Sequence, residues 1–270
     1  MFKTLSTGDA SAQHHKVLLY GPAGFGKTTN ARYYRQRYGK GLILSGEGGL
    51  LSLSDTDVEY VPFTSFDKAH NPDQGVYSFV GIAKMLRSAD FLASGYKWLM
   101  IDSLTEVAEL CMGELDDKHV NSKNGFEKWG EYERLMVGWL KLLRDLPVHV
   151  LVTALAATEE DDNGALAHRP MVRMRKVQQH LPGIFDHVFA GVRKTLETAE
   201  GTGTRVERFL VTDGYKGYVA KSRDPRRRMA PVERGSNVVE LLDRITMPDS
   251  DYERWKQAQT PAPATTASKE

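Results

Sequence analysis

The chain has 270 residues, of which 41% are hydrophobic and 26% are charged, and its formal net charge is +1. These values are typical of a soluble globular protein, and the near-neutral charge gives no general sign of nucleic-acid binding. No apolar run reaches the roughly 18 residues that a membrane span needs, and the polar N-terminus does not resemble a signal peptide. We therefore expect a cytoplasmic protein without a membrane partner.

Apolar, strand-like runs alternate with helix-like patterns along most of the chain. A strand from residue 16, a glycine-rich loop and a helix that ends at Gly39 come first. Further strands are predicted at 41–46, 58–63, 97–102 and 148–156, and helices at 76–92, 104–120 and 126–146. The helix at 126–146 is predicted to bury one side, which carries Phe126, Trp129, Leu135, Trp139, Leu140 and Leu143. The alternation predicts an α/β fold whose three-layer, mostly parallel sheet binds its ligand at the carboxyl ends of the strands.

The C-terminal part of the chain changes in character. Residues 205–222 alternate in polarity and contain the turn sequence DGYKG, which predicts an antiparallel hairpin at the sheet edge. The last residues have too little apolar content to fold. We expect a flexible N-terminus over 1–15, one domain over 16–247 and a mostly disordered tail over 248–270.

Cys111 is the only cysteine, which excludes an internal disulfide and a cysteine-based zinc site. Its place in the helical pattern LTEVAELCMGEL favours a small buried hydrophobic residue over a reactive thiol.

Residues 21–28, GPAGFGKT, fit the phosphate-binding pattern G-x-x-x-x-G-K-[ST] between a strand and a helix. Backbone N–H groups and the helix N-terminus would surround phosphate oxygens, Lys27 would reach the β and γ phosphates, and Thr28 would bind Mg²⁺. The segment therefore predicts ATP and Mg²⁺ as ligands; the alternative is a glycine-rich turn. The predicted nucleotide contacts are Gly21, Pro22, Ala23, Gly24, Phe25, Gly26, Lys27, Thr28 and Thr29.

Asp102 ends the apolar strand WLMID, as a second magnesium ligand would. Either Asp102 or Ser103 is also suited to cap the following helix, and the two roles of Asp102 are compatible.

The catalytic carboxylate has to come from elsewhere, because Ser103 occupies the position after Asp102 where many ATPases carry a glutamate. Residues 21–28 form the predicted phosphate-binding loop, or P-loop, and a helix follows it. Glu47 ends the strand after this helix, among glycines that let the backbone approach a nucleotide. We expect Glu47 to orient or deprotonate the attacking water. The alternative is an exposed acid in a turn.

The motifs GPAGFGKTT, LILSGEGG and WLMIDSLTEV, in this order and spacing, resemble the ATPase core of RecA-type recombinases. They are more similar still to the compact RecA-like nucleotide-binding proteins of tailed phages, some of which anneal single-stranded DNA. The resemblance covers about residues 16–225. It implies a RecA-like P-loop NTPase core, a homo-oligomer, single-stranded DNA as a partner, and a further contact with a single-stranded-DNA-binding or replication protein in a bacterial host cell.

The segment VAKSRDP resembles the cation pair that RecA- and KaiC-like ATPases extend into the nucleotide site of a neighbouring subunit. Lys221 and Arg223 alternate with Ser222, so on a strand both would point to one side. The resemblance implies that they stabilise transition-state charge in trans. A solvated basic strand end is the equal alternative.

The sequence also departs from the RecA pattern. RecA-type proteins usually carry an Asn-Gln pair where this chain has Ala154 and Leu155, directly after Thr153. We expect Thr153 to sense phosphate alone. In the same family the following loop, here about Ala156 to Val177, faces DNA.

This loop is acidic at first and basic later. Its acids are Glu159, Glu160, Asp161 and Asp162. Its basic residues are His168, Arg169, Arg173, Arg175 and Lys176, and the four Arg and Lys residues are the predicted DNA contacts. No aromatic residue lies in the loop to stack bases, and a solvated basic face is the alternative.

Together these observations predict an ATPase that acts on single-stranded DNA in annealing, recombination or replication. A nucleotide-switched assembly factor with little DNA affinity is the second hypothesis, which the acidic residues suit. A small-molecule or nucleotide kinase is a weaker third, because no acceptor-binding pattern is evident.

Overall fold

The computed structural model describes residues 14–122, 124–160, 164–197 and 203–259, which form nine strands and eight α-helices. The strands are Lys16–Gly21 (β1), Gly41–Ser45 (β2), Glu59–Pro62 (β3), Trp98–Asp102 (β4), His149–Glu160 (β5), Leu166–Pro170 (β6), His187–Glu197 (β7), Thr204–Val211 (β8) and Val232–Arg234 (β9). The helices are Asn30–Tyr38 (α1), Phe79–Met85 (α2), Ala89–Ala93 (α3), Leu104–Lys118 (α4), Gly125–Arg144 (α5), Arg175–Ile184 (α6), Val238–Thr246 (α7) and Asp249–Gln259 (α8). None of the described helices is long and apolar enough to cross a membrane.

The strands build one mixed sheet in the order β3-β2-β4-β5-β1-β7-β8-β9, with β6 attached to β5. From β3 to β7 all neighbours are parallel, while β8 and β9 are antiparallel additions. Every residue of β1, β2 and β4 is buried, as expected for parallel strands covered on both faces. The predicted α/β fold with a mostly parallel sheet is confirmed.

Helices cover both faces of the sheet. Leu18 and Tyr20 of β1 belong to one apolar core with residues of α2, α4, α5 and α6. Val17 and Leu19 point the other way, into a second core with residues of α1 and α7. This three-layer packing brings the carboxyl ends of β1, β2, β4 and β5 together at one edge.

The antiparallel edge exists, but its strand pairing differs from the prediction. β8 pairs with β7 and β9, not with residues 216–222. Strand β7 was not predicted, and it offers β8 a long partner. The DGYKG turn instead packs against β6, where the His168 N–H donates to the Gly217 carbonyl at 2.8 Å.

The predicted long loop over 156–177 is largely a hairpin. β5 continues as far as Glu160 and pairs with β6, with Ala156 opposite Pro170 and Thr158 opposite His168. Asp161 and Asp162 lie outside the described residues. The hairpin projects from the edge at which β1 ends, because Leu155 of β5 is already opposite Gly21, the last residue of β1.

Two helical predictions need correction. The predicted helix at 76–92 is divided into α2 and α3, because Ser78 and Ser88 each cap a separate helix. In α5, Phe126 is 88% exposed and Trp129 is 36% exposed, whereas Tyr132 and Met136 are buried. The first turn of α5 therefore does not contribute Phe126 to the core.

The expectation of a mostly disordered tail over 248–270 is wrong for residues 249–259, which form α8. The Arg228 guanidinium lies 4.5 Å from the centroid of the Tyr252 ring, and that of Arg244 lies 4.8 Å from the Trp255 ring. These contacts give the polar helix a surface to pack on. Residues 260–270 and residues 1–13 of the predicted flexible N-terminus lie outside the described residues.

Candidate active site

The P-loop connects β1 to α1 at the carboxyl edge of the sheet. Gly24 and Gly26 have φ angles of +70° and +103°, which favour glycine. Gly21 has no room for a side chain, because a Cβ there would lie 2.9 Å from the Gly191 carbonyl oxygen of β7. The Phe25 side chain is fully buried, so only its backbone can face a ligand.

Lys27 points back towards the loop. Its amino group donates to the carbonyl oxygens of Gly21 at 2.9 Å and Pro22 at 3.1 Å. Burial lowers the pKa of Lys27, while the charges of Glu47 and Asp102 act in the opposite direction. The ammonium group therefore lies among the loop and both predicted functional carboxylates.

Asp102 is buried and meets Thr28 directly. The Thr28 hydroxyl donates to Oδ2 of Asp102 at 2.7 Å, and the Thr153 hydroxyl donates to Oδ1. The helix cap is Ser103, whose Oγ accepts the Glu106 N–H at 3.3 Å. A hydroxyl and a carboxylate this close are hard oxygen ligands that fit Mg²⁺, which takes its remaining ligands from water and phosphate.

Glu47 lies beside this pair because β2 and β4 are neighbours. Ser45 is opposite Asp102, and the Gly46 N–H donates to the Asp102 carbonyl at 2.8 Å. The Glu47 side chain is exposed, and its carboxylate accepts a hydrogen bond from the Ser103 hydroxyl. It is thus an exposed acid in a turn that also lies at the site; its role as the base stays a prediction.

Glu106 was not singled out from the sequence. A Cβ added to Gly46 would lie 2.8 Å from its Cγ, so the first turn of α4 lies against the end of β2. Burial raises the pKa of Glu106, and the charge of Glu47 adds to the effect. A third carboxyl group therefore lies at this edge beside Asp102 and Glu47.

Thr105 was missed as well, and it connects the site to the hairpin. Its hydroxyl accepts the Leu155 N–H at 3.0 Å and donates to the Met171 carbonyl at 3.1 Å. One side chain thus holds both ends of the β5–β6 hairpin, two residues after Ser103. Thr153 contacts the site through its hydrogen bond to Asp102, and phosphate sensing by Thr153 stays a prediction.

The β7–β8 pair lies on the other side of the P-loop. Arg193 donates to the Ala23 carbonyl at 3.1 Å, and Arg208 contacts the Gly24 carbonyl at 3.5 Å. No motif indicated these arginines, because their place depends on the pairing of β7 with β1.

Lys221 and Arg223 lie at the opposite edge of the sheet. Lys221 pairs with Val188, near the amino ends of the parallel strands. Its amino group donates to the carbonyls of Pro182 and, at 3.1 Å, Phe185, while Arg223 forms a 2.8 Å ion pair with Asp186. They do not join the P-loop of their own chain, and their action in trans stays a prediction.

The predicted DNA contacts are only partly gathered together. Arg169 lies on β6 and Arg175 begins α6. Arg173 forms an ion pair with Glu109 at 2.6 Å, and the Lys176 amino group lies 3.7 Å from Glu133. These two cations are therefore partly neutralised by carboxylates of α4 and α5.

The structure adds aromatic rings that the sequence did not place there. The His168 ring stacks on Tyr218 with centroids 4.1 Å apart, and Tyr215 is 43% exposed. The Lys216 amino group lies 5.3 Å from the centroid of the Tyr215 ring. Arg169 follows His168 on β6 and therefore points to the opposite face of the hairpin. We call the set His168, Tyr215, Lys216 and Tyr218 the hairpin surface.

A P-loop, a lysine and a threonine-aspartate pair at the carboxyl edge of a parallel sheet define a nucleotide-binding domain of the P-loop NTPase type. The comparison with protein families agrees, since the model of the family described as AAA domain matches residues 13–224. The chain belongs to this family. No curated protein sequence matches the chain significantly.

Proposed function

We propose that the protein is a Mg²⁺-dependent ATPase. The observation that carries the proposal is the 2.7 Å hydrogen bond between Thr28 and Asp102, beside the buried Lys27. It joins the P-loop to the acidic end of β4 as a Mg·ATP site requires.

Each residue has a distinct task in this proposal. The P-loop N–H groups and the N-terminus of α1 hold the phosphates, and Lys27 turns from its loop carbonyls towards the β and γ oxygens. Thr28 and Asp102 hold Mg²⁺, which neutralises phosphate charge when it is bound. Glu47 orients water and accepts its proton, while Ser103 positions the Glu47 carboxylate.

We further propose that this RecA-like core acts on single-stranded DNA, in annealing, recombination or replication of a phage inside a bacterial host cell. The hairpin surface supports this step. Stacked bases gain about 1 to 3 kcal/mol each on aromatic rings, and the nearby Lys216 adds phosphate attraction. Thr105 supplies a physical link from this surface to the nucleotide site.

The same proposal includes a homo-oligomer in which Lys221 and Arg223 reach the nucleotide of a neighbour, and a contact with a single-stranded-DNA-binding or replication protein. Lys221 and Arg223 lie away from the P-loop of their own chain, which is compatible with action in trans. A rate per protomer that rises with protein concentration would support this part.

A second candidate is the nucleotide-switched assembly factor. It is favoured by the carboxylate partners of Arg173 and Lys176, and by Glu159 and Glu160 at the end of β5, which would repel DNA phosphates.

The deciding experiment measures ATP hydrolysis with and without single-stranded DNA for the wild type and Glu47→Gln, with Glu253→Gln on α8 as the control. We expect Glu47→Gln to bind ATP but to hydrolyse it about 10² to 10⁴ times more slowly, because the base is lost. Unchanged hydrolysis would assign the base elsewhere, and transfer of phosphate to another acceptor would indicate a kinase.

DNA affinity is measured in parallel for Tyr215→Ala and Tyr218→Ala, with Tyr252→Ala on α8 as the matched control. We expect the first two variants to bind single-stranded DNA about 10-fold more weakly, and the control to bind like the wild type. A wild type with no salt-sensitive DNA affinity would favour the assembly factor.

A further inference from the structure

Two arginines face each other across the antiparallel pair β7–β8. Arg193 of β7 is directly opposite Arg208 of β8, and both side chains are exposed. Like charges at directly opposed positions of a sheet destabilise it. We therefore expect the two arginines to have favourable partners on the face of the sheet that they share.

Both arginines reach the outer side of the P-loop. The Arg193 guanidinium donates to the Ala23 carbonyl at 3.1 Å, and that of Arg208 contacts the next carbonyl, of Gly24, at 3.5 Å. A Cβ added to Gly24 would lie 2.9 Å from Arg193 Nη1. The contacts are therefore close, and they involve consecutive peptide groups of the phosphate-binding loop.

The charge balance differs between the two faces of the hairpin. On the face away from this pair, Arg205 and Arg234 share Glu207, at 2.9 and 2.8 Å. Within the described ranges, no carboxylate lies within ion-pair distance of Arg193 or Arg208. The face at the P-loop thus keeps two positive charges next to the phosphate-binding loop.

We propose that Arg193 and Arg208 form a cationic clamp, which binds the outer carbonyls of the P-loop and increases its affinity for nucleotide phosphates. The carbonyl of Ala23 and the N–H of Gly24 belong to one planar peptide and point in opposite directions. Fixing the carbonyl on Arg193 therefore directs the N–H away from the arginine. Both are positioning residues, and this inference rests on the proposed nucleotide binding.

The test uses calorimetry of the full chain with Mg·ADP and with inorganic tripolyphosphate, for Arg193→Gln, Arg208→Gln and the double variant. Arg205→Gln, on the other face of β8, is the matched control. We expect Kd to rise about 10-fold for each single variant and less than 100-fold for the double, because both residues act on one loop. The affinity for tripolyphosphate should fall in parallel with the affinity for ADP, and Arg205→Gln should bind both ligands like the wild type.

Two further readouts distinguish the clamp from a purely structural role. Arg193→Lys keeps the charge without the planar fork and should recover part of the lost affinity. In steady-state hydrolysis, the glutamine variants should raise KM for ATP more than they lower kcat. Thermal melting checks that each variant is folded. If a glutamine variant is unfolded, Arg193→Lys or Arg208→Lys takes its place in the binding measurements.

Different failures have different meanings. A wild type that binds ADP while Arg193→Gln and Arg208→Gln bind it equally well overturns the clamp and leaves the proposed function intact. A wild type that binds neither ADP nor ATP overturns the proposed function itself. Loss of activity that depends on protein concentration, at unchanged ADP affinity, would assign the arginines to a neighbouring subunit and overturn the clamp.

Discussion

Acidification is expected to destabilise the protein through a histidine cluster at the amino-terminal edge of the sheet. The rings of His15 and His149 stack at 5.7 Å, and those of His15 and His187 lie 5.3 Å apart. His14 packs edge-on against His149 at 5.1 Å, and Tyr38 stacks on the same ring at 4.1 Å. Protonation would place positive charges next to one another in a largely buried setting.

The magnitude follows from two of these rings. Burial lowers the pKa of His149 and of His187 from the usual 6.5 to about 3, and the neighbouring His15 adds to both effects. Below about pH 6.5 these two histidines bind protons in the unfolded chain but stay neutral in the folded chain. Their contribution to stability is therefore fully present above about pH 6.5 and is lost as the pH falls below it. At about pH 5 each ring costs about 2 kcal/mol, and the two together up to about 4 kcal/mol.

Urea denaturation between about pH 8 and about pH 5 measures this effect. Burial chiefly lowers the pKa of Lys16 to about 8, so Lys16 adds to the pH dependence only near pH 8 and is charged in both states below about pH 7. Nucleotide at 100 times its Kd should raise the free energy of unfolding by about 2.7 kcal/mol at every pH. The slope of this free energy against pH should not change, because the histidine cluster and the P-loop lie at opposite edges of the sheet.

The variant His149→Phe keeps an aromatic ring against Tyr38 but cannot be protonated. We expect it to lose about half of the pH dependence, with His180→Phe, an exposed histidine of α6, as the control. A free energy of unfolding that stays flat from about pH 8 to about pH 5 would refute the reasoning. So would an unchanged slope in both His149→Phe and His187→Phe.

Thr105→Val keeps the side-chain shape but leaves the Leu155 N–H without its partner, so we expect about 2 kcal/mol of destabilisation by urea denaturation and loss of any DNA stimulation of hydrolysis. Thr105→Ser should restore both, and full stimulation in the valine variant would contradict the link. Gly191→Ala would place a Cβ 2.6 Å from the buried Phe25 ring, so we expect about 1 to 3 kcal/mol of destabilisation and weaker ADP binding. Gly138→Ala in α5 meets nothing within 4 Å and should be neutral or stabilising; equal behaviour of the two variants would exclude the steric argument.

The places of the P-loop, Asp102 and Glu47 at the ends of strands could be predicted, because each belongs to a short local pattern. A strand that ends in glycines, or in an aspartate before a helix, occupies a known edge of a parallel sheet whatever the rest of the chain does. The sheet places Ser45 opposite Asp102, as this argument requires. Neighbouring strands thus brought two motifs together that lie far apart in sequence.

The pairing of β8 could not be predicted in the same way. Residues 205–222 contain a plausible turn, and local pattern alone favours a hairpin across it. Strand β7 competes for the same edge, and it pairs with β8 over eight residues, from Ala190–Val211 to Glu197–Thr204. The longer pairing also places Leu210 and Val211 in the core. The local sequence pattern of the hairpin could not predict this burial.

The fold class, the phosphate-binding loop and the acids at the ends of two strands follow from the amino-acid sequence alone, because they depend on alternation and spacing within short segments. By contrast, the contacts of Arg193 and Arg208 with the P-loop, and the stacking of Tyr218 on His168, become visible only in the folded protein. Such contacts join residues that are distant along the chain. They depend on which strands pair and which faces are buried, and that choice is made by the packing of the whole sheet.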